Sequence, residues 1–293
     1  MFEGFALEHV DVGEVVLRVR HGGSGPPVVL LHGHPRTHTT WSRVAPRLAE
    51  HHTVVCPDLR GYGRSTLPPT RPDHAQSSKR AMAADVVALM RHLGHERFAV
   101  VGHDRGSIAA YRTALDHPDA VTALVVMDGL PVVEHLERLN LDFVRAWWHW
   151  WFLAQAEKPA ERVICADPDA WYATPDADTL GAAEHADLWA ALRDPAVVHG
   201  MCEDYRAGLD VDRGHDEADR AAGRRIACPT LLLAAEHDDI DIHGDPGEIW
   251  RPWVAGPLTV RTIDSGHHQA EDAPEAVADA VLAHLSSAGS GPG

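Results

Sequence analysis

Lysine is nearly missing from this 293-residue sequence, in which Lys79 and Lys158 are the two lysines among 26 basic residues. The 43 acidic residues outnumber the basic ones and give a formal net charge of −17. No basic run is longer than the pair Arg224-Arg225. A surface this acidic repels phosphate backbones and anionic lipid headgroups. The sequence therefore predicts no nucleic-acid partner and no membrane partner, and leaves a small-molecule substrate.

Cysteine and long hydrophobic runs are also scarce. The four cysteines are scattered and form no C-x-x-C pair: Cys56, Cys165, Cys202 and Cys228. At this chain length they are typical of reduced thiols rather than of a disulfide framework. The sequence begins without the basic and apolar regions of a signal peptide. The aromatic run from Trp147 to Ala154 is far too short to span a bilayer. We expect a soluble cytoplasmic protein.

Buried strands alternate with helical segments along most of the chain. Residues 7–19 alternate apolar and polar side chains around Gly13, which predicts a β-hairpin. Apolar runs, typical of parallel strands covered on both faces, follow at 28–31, 53–56, 98–101, 121–127 and 230–234, and the last strand is expected at 258–263. Segments of helical period separate the first of these runs. The pattern predicts the α/β class, with a mostly parallel, doubly wound sheet.

The alternation stops between Pro131 and about Arg213, where the pattern is helical and rich in Trp, Ala and Asp. An insertion at this point is typical of a lid over the carboxyl ends of the strands. We therefore predict a core formed by residues 1–130 and 214–293, with a helical cap at 131–213. The small residues of 286–293 have nothing to bury, and we expect a disordered tail there.

One pentapeptide, Gly102-His103-Asp104-Arg105-Gly106, directly follows a buried strand and precedes a helix. This is the spacing of a nucleophile elbow, G-x-Nuc-x-G, with Asp in the position where esterases have Ser. Its glycines allow the sharp turn that exposes the central side chain. The same aspartate is also suited to capping the helix. The order of its partners along the chain favours the nucleophile interpretation.

A carboxylate nucleophile forms an ester with the enzyme, and hydrolysis of that ester needs a base and a group that orients the base. His267 follows the last strand, where this architecture places its base. Two strand-end carboxylates are candidates for the orienting acid. Asp128 ends one strand, and Asp238 follows the next strand. Position along the chain does not decide between them.

The loop His32-Gly33-His34-Pro35 follows an earlier strand. In this architecture that loop supplies one backbone N–H of an oxyanion hole, and the residue after the nucleophile supplies the other. By position these residues are His34 and Arg105. The imidazoles of His32, His34 and His38 are alternatively metal ligands, but no acidic ligand lies among them. We predict no metal and no cofactor.

These motifs, with the cap segments His149-Trp150-Trp151-Phe152-Leu153-Ala154-Gln155 and Met201-Cys202-Glu203-Asp204-Tyr205-Arg206-Ala207-Gly208, resemble the fluoroacetate dehalogenases, a branch of the α/β-hydrolases. The resemblance runs from about Gly13 to the final helix. It implies an α/β-hydrolase fold and hydrolytic dehalogenation of short 2-halo acids.

The resemblance also implies a role for each matching residue. Asp104 is then the nucleophile, His267 the base and Asp128 the orienting acid. Arg105 is expected to bind the substrate carboxylate. The departing halide is expected to accept hydrogen bonds from a set of neutral donors: His149, Trp150 and Tyr205. Imidazole, indole and phenol suit this task because a small anion in a dry pocket needs convergent N–H and O–H donors.

One position departs from the family pattern, which has a second carboxylate-binding arginine where this chain has Ile108. Its loss is expected to weaken haloacetate binding roughly ten- to hundred-fold, and it leaves room for a bulkier or less anionic substrate. The runner-up activity is therefore epoxide hydrolysis, in which cap tyrosines, here Tyr172 and Tyr205, would both have to face Asp104. Arg105 favours an acidic substrate.

A different class of function, a non-catalytic binding module of the same fold, predicts an eroded catalytic triad. Asp104, His267 and both candidate acids are intact in this sequence. Oligomeric state is left open between a monomer and a homodimer.

Overall fold

The computed structural model describes residues 2–156, 159–173 and 176–289. Its strands form one eight-stranded sheet: β1 (Ala6–Asp11), β2 (Val16–Gly23), β3 (Pro27–Leu31), β4 (Thr53–Pro57), β5 (Phe98–His103), β6 (Val121–Met127), β7 (Thr230–Ala235) and β8 (Leu258–Ile263). The strand order is β1-β2-β4-β3-β5-β6-β7-β8. The pairs β1–β2 and β2–β4 are antiparallel, and the remaining pairs are parallel. The predicted hairpin and the mostly parallel sheet are confirmed.

Both faces of the central strands are covered, as their unbroken apolar runs predict. In β3, Val29 and Leu31 belong to one hydrophobic cluster, whereas Val28 and Leu30 belong to the cluster on the opposite face. All four side chains are fully buried. Successive side chains of a strand point to opposite faces, so a strand covered on both sides needs apolar residues throughout.

Helices lie on both sides of the sheet and in one long insertion. Those before β6 are α1 (Ala45–Ala49), α2 (Lys79–His92) and α3 (Arg105–Asp116). Those between β6 and β7 are α4 (Val132–Glu137), α5 (Leu141–Ala146), α6 (His149–Leu153), α7 (Ala160–Ala166), α8 (Pro168–Trp171), α9 (Ala177–Leu180), α10 (Ala182–Leu192), α11 (Pro195–Ala207) and α12 (Arg213–Ala221). Those after β7 are α13 (Pro246–Trp250), α14 (Gln269–Asp272) and α15 (Pro274–Gly289). The 3₁₀ turns are His38–Trp41, Ala75–Ser77, Ile240–His243 and Arg251–Trp253, and one π-helical turn is Gly208–Asp212.

The C-terminal helix α15 extends to Gly289, so the expectation of a disordered tail from residue 286 is wrong for residues 286–289. The helix continues because Ala288 still packs against the cluster on the α15 face of the sheet. Residues 290–293 of the predicted tail lie outside the described residues. Across the described ranges, no helix combines the length and the apolar character required to cross a membrane.

Candidate active site

The elbow places Asp104 at the carboxyl edge of the sheet, between β5 and α3. Its backbone has φ 51° and ψ −121°, a conformation that side-chain-bearing residues rarely adopt. Gly106 makes the turn possible, because a Cβ there would overlap the carbonyl oxygens of Leu31 and His32. The start of α3 therefore packs directly against the end of β3, and the Asp104 side chain projects from the edge.

The Asp104 carboxylate is held by the two backbone N–H groups predicted as an oxyanion hole. The His34 N–H donates to Oδ1 at 2.6 Å, and the Arg105 N–H also donates to this carboxylate. A side chain at Gly33 would overlap the carboxylate. Burial favours protonation, but the positive charge of His267 and the N–H bond lower the pKa of Asp104 below its usual value. The Asp104 carboxyl group is therefore an oriented anion.

His267 lies between the nucleophile and two carboxyl groups. Its Nε2 is 3.8 Å from Asp104 Oδ2, as expected for a base that acts beside the nucleophile. Its Nδ1 forms a 2.9 Å hydrogen bond with Asp238 Oδ2, whereas Asp128 Oδ2 is 3.9 Å away. Of the two candidate acids, the geometry favours Asp238, against the expectation drawn from the family resemblance.

The two candidate acids also differ in electrostatic environment. Burial raises the pKa of Asp128 to about 7, and the charge of Asp238 acts in the same direction. Asp128 Oδ1 accepts the Ala235 N–H at 2.9 Å, while its buried Oδ2 has no hydrogen-bond partner in the described part of the chain. For Asp238, the hydrogen bond from His267 outweighs burial and lowers the pKa. Asp238 is thus the ionised partner of the imidazole.

The same charges act on the base. Burial alone would lower the pKa of His267, but the hydrogen bond to Asp238 and the negative charges around the ring raise it to about 9. The resting site therefore holds an imidazolium between Asp104 and Asp238. Since Asp104 is one of the charges that raise this pKa, loss of its charge lowers the pKa of the base.

A cavity of about 490 Å³ opens above the nucleophile; we call it the Asp104 cavity. His149 and Tyr205 line it together with Asp104 and His267. The ring centroids of His149 and Tyr205 are 5.9 Å apart. Burial lowers the pKa of His149 to about 4, so its imidazole is neutral. Two of the three expected halide donors therefore line the same cavity as Asp104.

The third expected halide donor, Trp150, is not among the residues that line the Asp104 cavity. Its indole is 1% exposed and lies behind Tyr205, with ring centroids 6.0 Å apart. The buried Nε1 has no hydrogen-bond partner among residues 2–156, 159–173 and 176–289. Trp150 therefore keeps a free donor beside the cavity wall.

Arg105, the expected carboxylate ligand, is paired inside the protein. Its guanidinium donates from Nη2 to Asp204 Oδ1 at 2.8 Å and lies over the Tyr205 ring, 4.4 Å from the centroid. Lys79 donates to the same Asp204 oxygen at 2.5 Å, and Tyr62 donates to the other at 2.7 Å. Arg105 Nη1 is buried and has no hydrogen-bond partner within the described chain. Like Trp150, Arg105 is not among the residues that line the Asp104 cavity.

Asp204 and Lys79 are site residues that sequence reasoning missed. Asp204 belonged to a quoted cap segment but had no assigned role, and Lys79 was noted only as one of two lysines. The available signal was a rare lysine close to the start of a helix. Its buried partner, Asp204, lies far along the chain in the cap, and sequence spacing does not predict that contact.

The position of the missing clamp arginine is sealed. Ile108 is 2% exposed and packs in the hydrophobic core. Arg112, one turn further along α3, forms ion pairs with Asp216 and Asp219 of α12. Its charge is therefore taken up between α3 and α12, and Arg105 is the arginine next to the nucleophile.

Aromatic side chains form much of the remaining wall of the Asp104 cavity. Trp147, Trp148, Trp171 and Tyr172 all line it, and the Trp147 ring lies 5.9 Å from the His267 ring. The hydroxyl of Tyr172 contacts Met201 Sδ at 3.9 Å. Tyr172 thus lines the cavity without directing its hydroxyl to the nucleophile.

Three groups of potential metal ligands occur in the described residues. They are His103–His267–His268, Asp128–Asp238–His267 and the exposed Glu236–His237–Asp264. Of the imidazoles in and after the loop that follows β3, His38 and His32 have other partners, whereas His34 Nδ1 is buried and has no hydrogen-bond partner in the described residues. His38 bonds to Asp58 at 2.7 Å, and His32 accepts the Leu59 N–H at 3.0 Å.

Comparisons with known proteins agree with this architecture. Residues 26–274 match the family model described as the alpha/beta hydrolase fold. A fluoroacetate dehalogenase from a Burkholderia species is 42% identical over 298 residues, covering 99% of this chain and 97% of the relative.

Two solved structures are similar over nearly their whole length. A candidate α/β hydrolase from a Nostoc species has a TM-score of 0.93 at 38% identity, covering 97% of this chain and 99% of that chain. A candidate epoxide hydrolase from Pseudomonas aeruginosa has a TM-score of 0.88 at 41% identity, covering 98% of this chain and 97% of that chain.

Proposed function

Because the chain belongs to the α/β-hydrolase family, in its fluoroacetate dehalogenase branch, we propose that this hydrolase removes the halogen of short 2-halo carboxylic acids. The observation that carries the proposal is the state of Asp104. Its ionised carboxylate is oriented through Oδ1 by the His34 N–H, and its Oδ2 is directed towards His267. An oriented anion without a competing serine is suited to displacement at carbon.

In the first step, Asp104 Oδ2 attacks the carbon that bears the halogen. A C–O bond forms, the carbon–halogen bond breaks, and the halogen leaves with the electron pair. His149 and Tyr205, with Trp150 behind them, are the neutral donors that stabilise the departing halide. The product is an ester of Asp104 and a free halide ion.

In the second step, water hydrolyses that ester. Formation of the ester removes the Asp104 charge, so the pKa of His267 falls and Nε2 gives up its proton. Neutral His267 then takes a proton from water, and the hydroxide attacks Cγ of Asp104. The negative charge develops on Oδ1, where the His34 N–H donates, and the Arg105 N–H is a second donor to the same carboxyl group. Collapse releases a 2-hydroxy acid, and one water has replaced one halide with release of one proton.

Asp238 is the orienting acid in this mechanism. Its hydrogen bond to His267 Nδ1 fixes the ring so that Nε2 faces the ester, and its charge stabilises the imidazolium. Asp128, with its raised pKa, lies against the same nitrogen at 3.9 Å and supplies a weaker interaction.

Arg105 supplies the positive charge for the substrate carboxylate. Three contacts to Asp204 fix its guanidinium, and the remaining Nη1 is the donor offered to the ligand. One charge-assisted hydrogen bond contributes about 1.5–3 kcal/mol. A single prong therefore predicts weaker binding of haloacetate than a two-arginine clamp gives.

Epoxide hydrolysis is the second candidate, and two observations favour it. Tyr172 and Tyr205 both line the Asp104 cavity. The acid bonded to His267 is Asp238, which follows β7, and this is the commoner arrangement among hydrolases of this fold. Against it, the Tyr172 hydroxyl is directed to Met201. Protonation of an epoxide oxygen by two tyrosines would need that side chain to turn.

Halide release decides between the two candidates. Fluoroacetate, chloroacetate and bromoacetate would be incubated with the protein beside styrene oxide, with halide followed by ion chromatography and diol by liquid chromatography. We expect halide from bromoacetate and chloroacetate, and no halide from the Asp104→Asn variant. Diol without halide would replace the proposal with epoxide hydrolysis. If neither halide nor diol were formed, both candidate functions would be contradicted.

A further inference from the structure

Three imidazole rings meet beside the nucleophile. His103 ends β5, and His267 and His268 follow β8. The ring centroids are 4.8 Å apart for His103–His267, 5.2 Å for His267–His268 and 5.9 Å for His103–His268. One nitrogen from each ring lies within 4.8 Å of the other two. The proposed mechanism uses only one of these three side chains.

The hydrogen bonding of His103 fixes which of its nitrogens is free. Its Nε2 lies 2.6 Å from the backbone carbonyl oxygen of His267, and a carbonyl only accepts, so Nε2 carries the proton. Its Nδ1 is then a bare lone pair, and this buried atom has no hydrogen-bond partner in the described residues. Metal-binding histidines have this arrangement, because donation to a carbonyl orients the ring and exposes the other nitrogen.

His268 repeats the second half of this pattern. Its Nδ1 is also buried and has no hydrogen-bond partner among the residues that the structure describes. His267 and His268 both line the Asp104 cavity, which gives a small ion a path from solvent to the cluster. Two unpartnered nitrogens and a third imidazole therefore converge at one accessible point.

We propose that His103, His267 and His268 bind one transition-metal ion of the Zn²⁺ type, and that the bound ion inhibits the enzyme. Imidazole ligands select Zn²⁺, Cu²⁺ or Ni²⁺ over Mg²⁺ and Ca²⁺. Zn–N bonds of about 2.0–2.1 Å hold tetrahedral ligands roughly 3.3 Å apart. The three ligand nitrogens, which lie within 4.8 Å of one another, would therefore draw closer around the ion. The ion takes the place of one proton of the His267 imidazolium, and that proton is released to solvent. Inhibition rests on the proposed function, since a metal-bound His267 no longer serves as a base.

Binding is tested first, without substrate. Zn²⁺ would be titrated against a chromophoric chelator in competition with the protein, and Co²⁺ would report its ligands through its visible absorption spectrum. His103→Gln keeps a donor near the Nε2 position for the His267 carbonyl but removes the Nδ1 ligand. His268→Gln removes the second ligand. His237→Gln is the matched control, because it alters the exposed Glu236–His237–Asp264 group alone.

We expect one Zn²⁺ per chain, with affinity lowered roughly ten- to hundred-fold by His103→Gln and by His268→Gln and unchanged by His237→Gln. Circular dichroism would confirm that each variant is folded. Unchanged affinity in both cluster variants, or a loss caused by His237→Gln, would overturn the site. Absence of binding to the wild-type chain at millimolar Zn²⁺ would overturn it as well.

Inhibition is tested second, on whichever substrate the chain turns over. Zn²⁺ should abolish turnover, EDTA should restore it, and His268→Gln should shift the inhibitory concentration upward by the factor measured for binding. Turnover that is insensitive to a stoichiometrically bound ion would overturn the inhibitory role. The binding assay contains no substrate, so it tests the metal site whether or not the chain is a dehalogenase.

Discussion

The two ends of the Asp104 cavity are built from different chemistry. The sheet end has formal charges in close contact: Asp104, His267 and Asp238 at the carboxyl edge of the strands. The cap end has neutral rings, of which His149 and Tyr205 face the nucleophile. Bond making and ion release therefore have separate requirements. Covalent chemistry needs charges that can change, whereas a leaving anion needs fixed dipoles.

The largest expected effect comes from the sheet end, by His267→Asn. Without the base, alkylation of Asp104 should proceed but hydrolysis should stop, so turnover falls by about 10³-fold or more. Halide release should end at one equivalent per chain, and intact mass spectrometry should detect the ester. Asp104→Asn is the control that forms no ester. Continued halide release beyond one equivalent would show that His267 is not the base.

The next effect separates the two acids. Asp238→Asn removes the hydrogen-bonded anion at 2.9 Å and should lower kcat by about 10²–10⁴-fold. Asp128→Asn preserves shape and an acceptor for the Ala235 N–H, and should cost much less. Steady-state kinetics of both variants with bromoacetate would measure the difference. The reverse order would return the orienting role to Asp128.

A third prediction concerns stability and pH. The folded-state pKa of His267 is raised from 6.5 to about 9, so its contribution is fully present below pH 6.5 and is lost as the pH rises through 9. The wild-type chain should lose at most about 3 kcal/mol of unfolding free energy across this window through His267. Urea unfolding at pH 6.5 and pH 9 would measure it. The His267→Asn variant should lack this component. If the unfolding free energy changed equally with pH in the wild type and in the variant, the raised pKa would not belong to His267.

A smaller effect is expected from Lys79, which begins α2 and shares Asp204 with Arg105. Its pKa is lowered to about 8, first by burial and then by the charge of Arg105, and its ammonium offsets Asp204. In Lys79→Met, Asp204 should neutralise Arg105 more completely and raise KM for bromoacetate roughly ten-fold. Bromoacetamide, which is neutral, is the matched substrate. An equal rise in KM for both compounds would indicate general disruption instead.

The smallest effect is expected from Ile108→Arg, which restores the family's second arginine. The sequence argument alone predicts a KM for chloroacetate lowered by roughly ten- to hundred-fold, and the buried position of Ile108 reduces the expected gain to roughly ten-fold or less. The structure adds a cost, because Ile108 is buried in the core and a charge there is poorly solvated. Ile108→Met is the uncharged control. Calorimetry should show a lower Tm for the arginine variant, and an unchanged KM in a folded variant would exclude a role for the clamp.

The sheet end was largely predictable from sequence, and physical reasons explain why. Parallel strands bring their carboxyl ends to one edge, so residues that follow buried runs, such as Asp104 and His267, must lie together. The choice between Asp128 and Asp238 was not predictable. Both follow neighbouring strands, and a difference of 1.0 Å in their distances to the imidazole depends on loop conformation.

The cap end was predictable only through resemblance to a family. Helical period places Trp150 and Tyr205 on helices but does not say which rings face the nucleophile. The pairing of Arg105 with Asp204 joins α3 to α11 through a buried contact that spacing does not encode. Tertiary packing decides these contacts, and that information is spread over the whole chain.

The backbone conformation of Asp104 has a consequence for the stability of the folded chain. Its positive φ, and that of Asp128, each cost on the order of 1–3 kcal/mol. Every folded molecule bears this cost, with or without substrate. Glycine at either position would relieve the strain and remove the carboxyl group. At Asp104, relief of the backbone strain and retention of the proposed nucleophile therefore exclude each other.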